Sequence, residues 1–169
     1  MTETRVPIQE RIDIWEVIGA AATKPFGFMP FYTANKIAEA LNRQGKPLLG
    51  AKILVLGIAF KPDIDDARNS PAVALIRTLL GRGADVRYHD PFVPEAHLDE
   101  ESWPVGSSTV RLRSGPLTDE VLADQDCVCV AVAHSAFDIV WIVKHSRLLV
   151  DATGVTRRMS PAGGMVIRL

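Results

Sequence analysis

Residues Lys52-Ile-Leu-Val-Leu-Gly-Ile58 form a continuous apolar run. That is the pattern of a strand buried on both faces, as in the interior of a parallel sheet. The residues after it complete the punctuation of a strand–loop–helix–strand unit. Ser70 is placed to cap a helix and Pro71 to open it. Val73, Leu75, Ile76, Leu79 and Leu80 supply its inner faces, and Gly81 and Gly83 close it. Asp85–His89 reads as a second strand, stopped by Asp90-Pro91.

The same alternation continues. Residues 95–116 read as irregular, with a short strand at Thr109–Arg113. Leu117–Ala123 reads as a short helix, Cys127–Ala133 as a strong strand and Ala136–His145 as a helix. Arg147–Asp151 reads as a strand, and Met165–Leu169 adds an edge strand. Strands separated by helices at this spacing predict an α/β, Rossmann-like three-layer domain with a mostly parallel sheet and right-handed crossovers. A short helical arm precedes it. Ile12, Trp15, Ile18 and Ala22 share helical spacing, and Pro25 ends that helix. Residues 24–32, rich in aromatics, Pro and Gly, read as irregular. A second helix, about Ala34 to Gln44, comes next, and Gly45 stops it.

The chain has 169 residues, 47% of them hydrophobic and 23% charged, with a formal net charge of −1. This is the balance of a soluble globular protein. No block of Lys and Arg stands out, which argues against nucleic acid or a membrane as partner, although a local phosphate site needs only a few donors. Met1–Arg11 lacks the apolar stretch of a signal peptide, and the most apolar run, Cys127–Ala133, is too short to span a bilayer. A cytoplasmic location is the expectation. Cys127 and Cys129, two apart, face one side of a strand and read as small core residues. They are poorly placed to form a disulfide, and nothing completes a zinc site around them.

Ligands of such sheets bind beyond the carboxyl ends of the strands. The loop Gly57–Pro71 emerges there and lacks the usual G-x-G-x-x-G fingerprint. Lys61 lies just past the strand. Arg68 lies just before a helix N-terminus, where anions are favoured. Asp63, Asp65 and Asp66 can orient these two cations, or the loop can be merely solvated. Asp90 can meet a ribose or Lys61, or cap a turn. His134 can touch a ligand or be structural. Asp151-Ala-Thr-Gly154 forms a turn, and Arg157 and Arg158 after it can reach phosphate.

The run Gly50–Pro71, then Gly81-Arg-Gly-Ala-Asp-Val86, Tyr88–Pro94 and His134-Ser-Ala-Phe137, strongly resembles the UDP-glucose/GDP-mannose dehydrogenase family. The Phe-Lys-x-Asp-x-x-Asp-x-Arg-x-Ser-Pro core carries most of the specificity. Residues 13–32 are similar to the end of the family's central domain, in the branch that oxidises UDP-N-acetylglucosamine or related sugars. The resemblance implies two parts: residues 1–33 as a remnant of the central dimerisation domain, and 34–169 as the C-terminal UDP-binding domain. It implies an enzyme that takes the sugar's C6 alcohol to a carboxylate, passing hydrides to NAD through a covalent thiol intermediate. Phe60 and Lys61 match substrate-binding positions, and Arg68 matches an arginine that reaches NAD across a domain interface.

Two departures accompany it. The family segment bearing the catalytic cysteine, expected after Tyr32, is missing, as is the NAD domain. Thr153 also stands where many members carry a substrate-binding arginine. The expectation is therefore a truncated dehydrogenase that binds a UDP-sugar without turning it over. One alternative is a non-catalytic module that forms a homo-oligomer or pairs with a full-length paralogue through an apolar arm of Trp15, Phe26, Phe28 and Phe31. Another is an independent dinucleotide-binding protein, which the absent glycine fingerprint weakens.

Overall fold

A computed structural model of the chain describes residues 27–98, 110–159 and 164–169. The predicted arm over Asp13–Ala22, with Trp15 and Phe26, lies outside the described residues.

Helix α1 spans Met29–Arg43, earlier than the expected start at Ala34. Pro30 sits in its first turn, where the missing N–H would have had no partner anyway, so this proline begins a helix rather than breaking one. Strand β1 spans Lys52–Leu56, α2 Pro71–Gly81 and β2 Asp85–His89. Ser70 caps α2 as its sequence predicts, accepting from the Ala72 N–H at 3.1 Å, and its hydroxyl donates to the Ala59 carbonyl. The helix start is thereby tied to the loop that precedes it.

An antiparallel pair follows, β3 (Glu95–Leu98) with β4 (Val110–Arg113). The sequence predicts β4 but no β3. Ala96 and Leu98 are buried while His97 is exposed, so β3 is a four-residue strand with one wet face. Then come α3 (Asp119–Asp124), β5 (Cys127–Val130), α4 (Ile139–His145), β6 (Leu148–Asp151) and β7 (Met165–Arg168). Strands end up to three residues earlier than their apolar runs, and α4 begins three residues later than Ala136.

The main sheet has the order β2-β1-β5-β6-β7, and every neighbouring pair is parallel. Side chains alternate between two buried layers. Ile53, Val55, Cys127, Cys129, Leu148 and Val150 face α1 and α2. Leu54, Leu56, Val128, Val130 and Leu149 face α3 and α4. This is the expected three-layer α/β arrangement. Each fully buried Leu or Ile contributes about 1.5–3 kcal/mol of burial free energy, so the two layers dominate the stability. Both cysteines are fully buried, as expected, and burial pushes the Cys129 thiol up to about 12.

The strand order reverses at β1: the chain leaves it toward β2 on one side while β5 lies on the other. Crevices at the carboxyl edge open where the order reverses in this way.

Candidate functional site

At the end of β1 the backbone turns at Gly57, with φ of +77°. A Cβ there would lie 2.2 Å from the Val132 carbonyl oxygen, so only glycine allows the ends of β1 and β5 to approach this closely. The loop beyond Gly57 is held by a buried carboxylate. Asp90 Oδ2 accepts from the N–H groups of Ile58 and Ala59 at 2.7 and 3.1 Å. Its Oδ1 accepts from those of Phe92 and Val93 at 2.8 and 3.1 Å. Of the two roles open to Asp90, the structure shows the capping one. Burial works to raise its pKa, but the Ile58 and Phe92 N–H groups and His134 outweigh this and hold the carboxyl below its usual range.

His134 extends the clamp. Its Nε2 lies 2.9 Å from Asp90 Oδ2, and its Nδ1 accepts from the Asp63 N–H at 2.9 Å. The second contact requires a bare Nδ1, so the ring proton is on Nε2 and is donated to Asp90. Asp63 has φ of +62°, a conformation that costs a non-glycine residue about 1 kcal/mol or more. Its two anchors offset that cost. The second is its carboxylate, which accepts from the Ser135 N–H at 2.8 Å. The sequence leaves Asp63 either orienting Lys61 or Arg68 or merely solvated; the structure shows neither, and Asp63 fastens the loop to the end of β5. His134 is structural.

Asp66 does orient a cation. It receives Arg68 bidentately at 2.9 and 2.8 Å and also accepts the Arg68 N–H, and those bonds hold its carboxyl down at about 2. The Arg68 side chain is 87% exposed, so this pair contributes little to stability.

The clamped loop forms one wall of a cleft of about 440 Å³. Phe60 and Pro62 line that wall, Ala131–Ala133 the floor, and Thr153, Gly154 and Val155 the far wall. Phe60 is half-exposed, and Lys61 Nζ lies 5.9 Å from the centre of its ring. Lys61 does not itself line the cleft; it lies in the chain between Phe60 and Pro62, which do, and among the described residues it has no carboxylate partner. Arg68 does not line the cleft.

The far wall is shaped by Asp151, fully buried at the end of β6. Its Oδ1 accepts from the Thr153 and Gly154 N–H groups and the Thr153 hydroxyl. Its Oδ2 accepts the N–H and hydroxyl of Thr156. Of the residues singled out from the sequence as substrate-binding, Phe60 lines the cleft and Lys61 does not; Pro62, Ala131–Ala133 and Val155 were not singled out. These line the cleft through small or apolar groups that carry no chemical signature. An apolar trough whose wall residue Phe60 carries a lysine beside its ring suits a ligand with a flat apolar part and an anionic part.

Residues 54–158 match a known family described as the UDP-glucose/GDP-mannose dehydrogenase family, UDP binding domain. The chain is 32% identical over 111 residues to a UDP-N-acetyl-D-mannosamine dehydrogenase of Methanococcus maripaludis, covering 64% of this chain and 22% of that protein. It therefore spans about a fifth of that relative's length. Among solved structures, an NDP-N-acetyl-D-galactosaminuronic acid dehydrogenase from Methanosarcina mazei is 32% identical with a TM-score of 0.56, over 73% of this chain and 25% of that one. A UDP-D-ManNAc dehydrogenase from Pyrococcus horikoshii is 24% identical with a TM-score of 0.62, over 83% and 30%, and shows the shared fold.

Proposed function

The chain belongs to the UDP-glucose/GDP-mannose dehydrogenase family through that family's UDP-binding domain, and from this premise we propose that it holds a UDP-sugar in the cleft between Phe60 and Thr153. The observation that carries the proposal is an apolar trough lined by Phe60 and Pro62, the neighbours of Lys61 in the chain, at the carboxyl edge of a family-matched sheet. In this reading Phe60 packs against an apolar face of the ligand and Lys61 attracts its diphosphate. The clamp of Asp90, His134 and Asp63 holds both in place.

We further propose that these 169 residues bind the sugar nucleotide without oxidising it. The chain has two thiols, and both lie fully buried in β5, on the face turned to α1 and α2. Burial raises the pKa of both, which disfavours the thiolate that covalent catalysis requires.

NAD is the cofactor that the family implies. The described residues do not fit it as a cradle: the loop after β1 is closed on itself by the Phe60 N–H to Asp66 carbonyl bond and by the Asp63 anchors. We propose Arg68 only as a contact to a cofactor held elsewhere, one that would have to displace Asp66.

Titration calorimetry with UDP and with a UDP-N-acetylhexosamine tests binding. Saturable heat is expected, weakened about tenfold by Lys61→Ala, which removes one charge-assisted contact. Absence of binding by the wild-type chain overturns the site. NADH absorbance with the same sugar nucleotides tests the second part, and enzyme-dependent turnover by the chain overturns it.

A second reading, pairing with another copy or a full-length paralogue, draws on Phe28 and Met29, which are 51% and 52% exposed at the start of α1. Size-exclusion chromatography of the chain, alone and mixed with a paralogue, separates the two. A single monomeric peak in both sets the second reading aside.

A further inference from the structure

We infer that Arg157 holds the phosphate of the bound nucleotide from the wall of the cleft opposite Lys61; this deepens the UDP-sugar reading and rests on it. The far wall has no free side-chain donor of its own. The Thr153 hydroxyl donates to Asp151 Oδ1 at 2.8 Å and accepts from the Val155 N–H at 3.3 Å, so it is spent inside the turn. Gly154 and Val155 offer no polar side chain. The position where a ligand-facing group would stand is therefore chemically silent.

Arg157 fills that silence. Gly154 lines the cleft, and a Cβ built on it would come within 2.9 Å of Arg157 Nε, 3.3 Å of Cζ and 3.4 Å of Cδ. The guanidinium thus lies over the bare backbone of Gly154, in the space that a side chain there would occupy. Gly154 has φ of +78°, and the Arg157 N–H donates to its carbonyl at 3.1 Å, so one tight turn sets both the wall and the arginine above it.

Three other arginines have partners within the fold, whereas Arg158, next to Arg157, has none among the described residues but is not the one that lies on Gly154. Arg68 is held by Asp66, Arg82 by Asn35 at 2.6 Å, and Arg168 by Thr156 and Met159. Among the described residues the Arg157 guanidinium has no carboxylate partner. In the sheet order β1-β5-β6, the loop bearing Lys61 and the turn bearing Arg157 flank the floor from opposite sides. A nucleoside diphosphate carries at least two negative charges, and Lys61 alone offsets one. Arg157 supplies the second positive charge, with paired N–H donors that match phosphate geometry. The chain's net charge of −1 gives no general attraction to replace it.

Calorimetry with UDP on the full chain tests this, using Arg157→Ala, Arg157→Lys and, as a control for charge loss alone, Arg87→Ala on the exposed face of β2. Arg157→Ala is expected to weaken UDP about tenfold and to flatten the salt dependence of binding. Arg157→Lys falls between Arg157→Ala and wild type, and Arg87→Ala stays near wild type. Thermal melts are expected to be unchanged for all three, since both side chains are exposed. If wild type binds UDP and Arg157→Ala binds equally well, or Arg87→Ala loses as much, the assignment of Arg157 is overturned and the UDP site stands. If wild type binds no UDP, both are overturned.

Discussion

Asp90 and His134, 44 residues apart in the chain, meet through a 2.9 Å hydrogen bond between two fully buried side chains. Asp90 arrives on the end of β2 and His134 just beyond β5, so the bond spans β1 and closes over its carboxyl end. The loop bearing Phe60 and Lys61 takes its shape from this pair.

Asp90 is the more exposed to mutation of the two in energetic terms. Asp90→Ala strips a charged acceptor from four backbone N–H groups and from His134. Breaking a buried charged network of this kind costs about 3–5 kcal/mol, against a typical total of about 5–15. Asp90→Asn keeps the shape and one good acceptor, and its cost is expected at about 1–3 kcal/mol. Urea unfolding of both variants checks the order, and equal midpoints for Asp90→Ala and wild type contradict the clamp.

Acid should act through the same carboxylates. Burial works to raise both Asp90 and Asp151. The Ile58, Phe92 and His134 contacts in one, and the Thr156 and Thr153 contacts in the other, reverse that and leave both depressed. A depressed folded-state pKa means stability that is complete above the unfolded value of about 3.9 and is lost as pH falls through the folded value. The urea midpoint is expected to be level in this respect down to about pH 5 and to fall below about pH 4. In Asp90→Asn the acid-induced fall is expected to be shallower.

Gly57→Ala is expected to destabilise by about 2–4 kcal/mol, combining left-handed strain with overpacking. The added carbon would lie 2.2 Å from the Val132 carbonyl oxygen and 2.7 Å from its Cβ. Because Val132 floors the cleft, UDP affinity should fall along with stability. A variant as stable as wild type by urea unfolding would mean that β1 and β5 do not approach as described.

The thiols give a direct readout of burial. Cys127 and Cys129 are fully buried and free. Ellman's reagent is expected to find no reactive thiol in the native chain on a timescale of minutes, and two per chain in denaturing urea. Rapid labelling without denaturant would move β5 out of the core.

How much of the molecule is legible along the chain depends on how locally each feature is encoded. β1, β5 and α2 are legible because an unbroken apolar run and a Ser-Pro opening need no distant context. β3 is not, since Glu95-Ala-His-Leu98 is too short for its alternation to register, and its partner β4 lies beyond residue 109. The early start of α1 is obscured by Pro30, a breaker in a helix interior but a neutral residue in a first turn. At the site, Phe60 and Lys61 stand within a distinctive motif. The clamp behind them joins residues 44 and 71 positions apart, and the far wall is largely backbone, so neither leaves a pattern along the chain.

The Asp63 anchors also divide labour within the loop. Asp63 faces His134 and Ser135, while Phe60 and Lys61 are exposed and take no part in the hydrogen bonds that set the loop's path through their own side chains. Shape and recognition are therefore written on different residues. A lineage that keeps the anchors is free to change what the loop reads, exchanging one aromatic or one cation for another without rebuilding the fold, and that separation is what makes such a loop evolvable.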